Sequence, residues 1–152
     1  MIISKALKFV IFAVILTCAA SYAANRSCSL KIMNADGRRV GIKAELADTE
    51  EKRALGLMYR RVLDENEGML FVFDDLNCRG FWMHNTYIPL SIAYIGKDGI
   101  INEIYDMKPL DEKSIFSQKP AMYALEMKKG WFLRNKIGPG AKLDFTECAL
   151  KR

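Results

Sequence analysis

Short apolar segments separated by turn residues recur along most of the chain, and this pattern limits its possible folds more than any other feature. In residues 40–47, apolar side chains alternate with polar or small ones, which is typical of a half-buried strand. Residues 69–73 are continuously apolar, which suits a strand covered on both faces. Residues 90–95 and 100–107 flank a Gly-Lys-Asp-Gly turn and are predicted to pair as a hairpin.

Further strand signals complete a mainly β pattern. They lie at residues 30–34, 80–83, 122–127 and 143–145. About eight short strands at close spacing predict a small closed sandwich or barrel. Residues 74–77 are predicted to form a turn and residues 108–120 a polar loop.

One short helix is predicted early in the domain, over residues 49–57. Asp48 and Glu51 have the spacing of a capping pair, and Gly56 is typical of a helix end. Leu55 and Met58 are expected to pack inward from this segment.

The first 23 residues have the order of a secretory signal peptide. A start carrying Lys5 and Lys8 is followed by an apolar run over 9–20 and by small residues, which predicts cleavage after Ala23. An uncleaved membrane anchor is the first alternative, although a spanning helix needs about 20 mainly apolar residues. A lipoprotein modified at Cys18 is the second. The remaining residues, 24–152, are predicted to form a single exported domain, periplasmic or secreted.

Charge and cysteine content narrow the function classes. The net charge is +5, and loss of the two lysines of residues 1–23 leaves +3, which is too mild to indicate nucleic-acid binding or stable membrane association. An oxidising compartment permits a disulfide among Cys28, Cys78 and Cys148. Pairing the first with the last closes nearly the whole chain and is favoured, since the chain-entropy estimate is ~4–5 kcal/mol. The one histidine, His84, excludes a centre built on several histidines.

Four motifs carry a family resemblance. They are RALGLMYR at 53–60, GMLFVF at 68–73, FWMHNTYIPL at 81–90 and YALEMKKGW at 123–131. Together they resemble the domain of unknown function 192 family, also called uncharacterised protein family 0127, over about residues 40 to 146. The resemblance implies a compact, mainly β domain that is often exported, and it implies no reaction. His84 stands where the family usually has Lys, and Ser91 where it usually has Asp.

The stretch Trp82-Met83-His84-Asn85-Thr86 is the strongest candidate for a binding site. Side chains alternate across a strand, so Trp82 and His84 are predicted on one face, with Met83 and Asn85 on the other. In a concave site, Trp82 supplies a flat wall and Asn85 a hydrogen-bond donor and acceptor. The alternative is structural, with a core aromatic and a turn asparagine.

Glu126 lies in an apolar strand segment, which requires it to be on a wet face or buried and paired. Arg60 and Arg79 are the candidate cations for a buried ion pair. The alternative is a general acid or base whose pKa is raised by burial.

These residues support three functional hypotheses. The first is a monomeric module of the cell envelope that binds a small molecule or an envelope protein, with no cofactor. The second is a hydrolase of envelope material that uses Glu126 with His84 or an Asp, for which Asp74, Asp75 and Asp106 are candidates. The third is Cu(I) binding through Met83, His84 and Trp82, which supply a thioether, an imidazole and an indole.

Overall fold

The computed structural model describes residues 26–148 and residue 150, and the predicted signal peptide lies outside them. This part contains nine strands and two short helices, which confirms the mainly β prediction. The strands are β1 (Ser27–Met33), β2 (Arg39–Ala47), β3 (Glu67–Asn77), β4 (Gly80–Phe81), β5 (Leu90–Ile95), β6 (Ile101–Met107), β7 (Ile115–Phe116), β8 (Ala121–Lys128) and β9 (Leu143–Asp144). The helices are α1 (Glu50–Leu55) and α2 (Trp131–Arg134).

Seven strands form one curled sheet, a half-barrel with the order β6-β5-β8-β3-β2-β1-β9. Only the β2–β3 pair is parallel in this sheet, and the connection that it requires carries α1. The right-handed twist of successive strands brings the two ends of the sheet together. An isolated bridge between Ile100 and Lys142 joins them. The strands β4 and β7 pair separately.

The concave face of the sheet holds the larger hydrophobic core. Alternate residues of the central strands point into it, including Leu30, Leu70 and Leu125. The helix α2 fills the half-barrel with two buried aromatic side chains, Trp131 and Phe132. Period-two alternation therefore produces one dry interior, as expected for a small barrel.

A second core covers the convex face of the same sheet. Phe71 and Ile92 contribute from the strands, while Leu57 and Met83 pack down from the connecting loops. Because the central strands are covered on both sides, residues 68–71 are all buried, as the continuous apolar run predicted. The loops that hold this core against the sheet also carry the candidate site.

Cys28 and Cys148 form a disulfide, with their Cα atoms 5.2 Å apart and a sequence separation of 120. The bond attaches the segment after β9 to the start of β1, and both cysteines belong to the concave core. Cys78 is a free, exposed thiol. The disulfide therefore closes a loop that contains almost the entire described domain.

The predicted turn at residues 74–77 is wrong, because β3 continues to Asn77. Its pairing with β8 shifts register between Val72 and Asn77, so the strand runs on with an irregularity. The exposed polar side chains of this extension, Asp74 and Asp75 among them, have the composition of a turn without forming one.

The helix prediction was correct in place but wrong in detail. Thr49, rather than Asp48, caps α1 by accepting a hydrogen bond from the Lys52 N–H at 3.3 Å. Leu55 is 53% exposed, whereas Leu57 is buried. The helix stops at Gly56, whose φ of 51° turns the chain, so Leu57 reaches the core from the loop instead.

In the part of the chain that the structure describes, no helix has the length and apolarity needed to cross a bilayer.

Candidate functional site

Exposed aromatic side chains lie on two loops, which follow α1 and β4, and a third loop, after β6, is hydrogen-bonded to the second. We call Tyr59, Trp82, His84 and Tyr87 the aromatic face. Tyr59 is 60% exposed, Trp82 46% and Tyr87 40%. Large aromatic side chains are normally mostly buried, so this exposure requires an explanation.

Backbone hydrogen bonds hold the three loops together beneath the aromatic face. The Tyr59 N–H donates to the Asn85 carbonyl at 2.8 Å, which joins the first loop to the second. The Met83 N–H donates to the Asp111 carbonyl at 2.8 Å, and the Leu110 N–H donates to the Thr86 carbonyl at 3.1 Å. The segment from Met83 to Thr86 is thereby anchored on both sides, and the aromatic side chains project from a rigid support.

Backbone strain concentrates at the same contacts. Four non-glycine residues of the described part have positive φ, and three of them are Tyr59 (64°), Asn85 (51°) and Leu110 (60°). This left-handed conformation is costly for residues with a Cβ and is tolerated best by Asn. All three make the inter-loop hydrogen bonds just described. Strain held in place by surrounding contacts is a feature of functional sites.

The side chains of the aromatic face are also ordered. The rings of Trp82 and His84 stack with centroids 4.7 Å apart and an interplanar angle of 20°. Their i, i+2 spacing agrees with the predicted shared face, although β4 itself ends at Phe81. The His84 Nδ1 atom lies 2.7 Å from a carboxylate oxygen of Glu112, which orients the imidazole.

The two tyrosines of the aromatic face, Tyr59 and Tyr87, also make polar contacts. The Asn85 side-chain amide donates to the Tyr59 hydroxyl at 2.9 Å. The Arg61 guanidinium lies 5.0 Å from the centroid of the Tyr87 ring, within cation–π range. The surface thus combines flat apolar rings with amide, hydroxyl, guanidinium and carboxylate groups that can bind a polar ligand.

The remaining residues of the predicted stretch have structural roles. Met83 is buried in the convex core, away from the exposed Trp82–His84 stack. Thr86 is buried, and its hydroxyl donates to the His84 carbonyl at 3.1 Å. Of the three groups predicted to bind Cu(I), Trp82 and His84 therefore lie together in the stack, whereas Met83 belongs to the convex core. Among the described residues, no group of three or more His, Cys, Asp or Glu side chains is placed to bind a metal ion.

Glu126 is a buried carboxyl on β8, only 4% exposed. Strand register places it between Met69 of β3 and Ile92 of β5, two members of the convex core. No other side chain of the described residues pairs with it, and burial raises the pKa of its carboxyl from 4.5 to about 8. Glu126 is therefore protonated at neutral pH, as desolvation of an unpaired acid requires.

The predicted cations bind elsewhere. Arg60 pairs with Glu45 at 2.6 Å, so the expected ion pair with Glu126 is wrong. Arg79 pairs with Asp75 and stacks over Phe73, 4.0 Å from its centroid. Both arginines satisfy carboxylates nearer the protein surface, where the charges lose less hydration.

The acid–base partners proposed for Glu126 are likewise engaged with other groups. His84 faces Glu112, as described above. Asp74 lies 3.5 Å from Arg53, and Asp106 accepts a hydrogen bond from the Ser91 hydroxyl at 2.5 Å. The described structure thus gives Glu126 no acid–base partner.

Sequence reasoning missed most of the aromatic face outside residues 82–86. Tyr59 and Tyr87 belong to two of the family motifs but were not predicted as site residues, and neither Arg61 nor Glu112 was predicted to contribute. The proximity of residues 59, 85 and 110 depends on three loops meeting over the convex core, and no local pattern encodes it. The available signal was that each tyrosine lies two residues from a polar side chain, Arg61 or Asn85.

Comparison with solved structures finds similar proteins, including the following two. A proposed transcription regulator from Sinorhizobium meliloti is 36% identical, with a TM-score of 0.77, and the match covers 79% of this chain and 94% of that one. A protein of unknown function from Novosphingobium aromaticivorans is 34% identical, with a TM-score of 0.73, and the match covers 76% and 83% of the two chains. No curated protein matches the chain significantly.

The family comparison agrees with the motifs and the fold. The family DUF192, described as an uncharacterized ACR, matches residues 31–145, which include the half-barrel and all three loops of the aromatic face. The resemblance inferred from the four motifs is confirmed. This chain belongs to the domain of unknown function 192 family.

Proposed function

We propose that this protein is a binding module of the cell envelope and that its aromatic face holds the ligand or partner without catalysing a reaction. The observation that carries the proposal is the exposure of Trp82, Tyr59 and Tyr87 on loops locked by strained, hydrogen-bonded backbone. Rigid aromatic side chains with polar tips provide much contact area and lose little conformational entropy on binding.

Export rests on the predicted signal peptide, and the Cys28–Cys148 bond is consistent with an oxidising compartment. Determining the N-terminus of the protein recovered from its native host tests this part. An N-terminus at Ala24 in a periplasmic or secreted fraction supports export. An intact chain in the cytoplasm contradicts it.

The binding surface can be tested through its own fluorophore. Trp131 is fully buried, so changes in solvent-sensitive tryptophan emission on ligand addition report mainly on Trp82. The folded domain would be incubated with a soluble extract of the native cell envelope, and retained molecules identified by mass spectrometry would then be titrated individually. We expect Tyr59→Ala and Trp82→Ala to weaken retention at least tenfold.

The control is Leu133→Ala, which removes an even more exposed apolar side chain on α2, outside the three loops. Its retention should equal that of the unmodified protein. Equal loss in all three variants would indicate nonspecific adsorption, and full retention by Tyr59→Ala and Trp82→Ala would place binding elsewhere. Either result contradicts the proposal.

A second candidate function is general acid–base catalysis by Glu126, which its raised pKa favours. A hydrolase of this kind would turn over chromogenic esters or glycosides with a rate that depends on an ionisation near pH 8 and disappears in Glu126→Gln. Absence of turnover by the folded protein, or equal turnover by the variant, would exclude this function for those substrates.

A further inference from the structure

A large cleft opens at one end of the half-barrel, on the concave side and separate from the aromatic face. Its volume is about 1070 Å³, large enough for a lipid-sized molecule. The mouths of β-barrels are common positions for small-molecule sites. Residues 72–74 of β3 line the cleft, at the point where this strand loses register with β8.

The floor of the cleft is apolar. Val72, Tyr123 and Phe145 line it and are partly buried side chains packed against the concave core. The rings of Tyr123 and Phe145 contact each other, with centroids 4.7 Å apart. A ligand entering here therefore meets a wall continuous with the protein interior, which favours an apolar body.

The rim of the cleft carries both acidic and basic side chains. Its carboxylates are Asp98 and Asp144, which accept hydrogen bonds from the backbone N–H groups of Ile100 and Thr146 at 3.1 and 2.9 Å, and Asp74, which lies 3.5 Å from Arg53. Lys97 and Lys142 are exposed, and neither makes an ion pair with any described residue. Arg39 also lines the cleft without an ion pair to a described residue, so three unpaired cations face Asp98 and Asp144 and the rim carries a net positive charge.

We propose that this cleft binds an amphipathic carboxylate, with its alkyl chain on Val72, Tyr123 and Phe145 and its head at Lys97 and Lys142. The pairing of an apolar floor with free cations on one rim selects this class: a neutral lipid leaves the lysines unused, and a cationic amphiphile is repelled by them. The site is distinct from the aromatic face and does not depend on the function proposed for it.

The test uses dodecanoate, below its micelle-forming concentration, and isothermal titration of the disulfide-bonded domain. Dodecyltrimethylammonium has a similar chain and the opposite charge, while acetate has the head without the chain. We expect saturable 1:1 binding of dodecanoate, with at least tenfold weaker binding of each comparison molecule.

The lysines are tested by the double variant Lys97→Glu/Lys142→Glu, with Lys113→Glu as a single exposed control outside the cleft. Both variants change exposed side chains, and a thermal melt would verify that they fold. The double variant should bind dodecanoate at least tenfold more weakly, and the control should bind it normally. Absence of dodecanoate binding, equal affinity for the cationic amphiphile, or unchanged affinity in the double variant would each overturn the proposal.

Discussion

Replacing Glu126 with Gln should stabilise the domain at neutral pH while changing its stability at pH 4 much less. Glu126 is buried without a partner, and burial raises the pKa of its carboxyl to about 8 from 4.5. Folding therefore favours the protonated acid, whereas the unfolded chain ionises it freely above pH 4.5. A glutamine has nearly the same shape and is neutral at every pH.

The sign and the magnitude follow from linkage between protonation and folding. A raised folded-state pKa contributes its full stability below the unfolded value of 4.5, and this stability is lost as the pH rises toward 8. Each pH unit in this window is worth about 1.4 kcal/mol, so the group costs about 3 kcal/mol between pH 4.5 and pH 7. The glutamine variant does not incur this loss.

The assay is urea denaturation of both proteins, with the disulfide intact, at pH 4, 5.5, 7 and 8. The difference in free energy of unfolding should shift in favour of Glu126→Gln by about 3 kcal/mol between pH 4 and pH 7. Glu50→Gln removes the charge of an exposed carboxyl in the first turn of α1 and is the control for the same substitution outside the core. A wild-type–variant difference that stays constant across the series would refute the reasoning, because it requires the Glu126 carboxyl to have the same pKa in the folded and unfolded chain.

Three further predictions concern the scaffold. Replacing Cys28 and Cys148 with serine should lower the free energy of unfolding in urea by ~4–5 kcal/mol, because the bond closes a very long loop; a loss below ~1 kcal/mol would contradict this. Gly68→Ala should destabilise the domain by ~1–3 kcal/mol because the added Cβ would overlap the β8 backbone. Gly41→Ala should be nearly neutral, since the space around its added Cβ is open. Equal melting temperatures of the two variants would argue against the close approach at Gly68. In thermal unfolding, Asn85→Ala should lower the free energy of unfolding by about 2 kcal/mol and Asn85→Gly by about 1 kcal/mol. Glycine adopts the left-handed backbone conformation without strain but does not replace the side-chain hydrogen bond. A larger loss in Asn85→Gly than in Asn85→Ala would rule out backbone strain as the cause.

Strand positions were predictable where the pattern was local. The strand β5 has the predicted bounds, Leu90–Ile95, because a continuous apolar run between turn residues needs no distant information to be recognised. The segment at residues 74–77 shows the opposite case. Its composition is that of a turn, but pairing of Asn77 with Ala121 on β8 keeps it extended.

The candidate site was predictable only in part. Alternation along the chain placed Trp82 and His84 side by side, and they do stack. The partners of His84 and Asn85 could not be inferred, because Glu112 and Tyr59 lie 28 and 26 residues away and arrive on separate loops. Arg60 was assigned to Glu126 on charge alone, whereas strand β2 presents Glu45 to it.

The amino-acid sequence by itself determined the strand-rich fold class, the family and the chemical character of residues 82–86, since these depend on side-chain identity and short-range periodicity. Only the tertiary structure decided which of those side chains face solvent, which loops are joined by hydrogen bonds between strained residues, and where the half-barrel has its cleft. The physical reason is that burial and pairing are set by contacts between segments far apart in the chain. The carboxyl of Glu126 has an ordinary pKa in the unfolded chain, and its pKa is raised only when the folded sheet removes it from water.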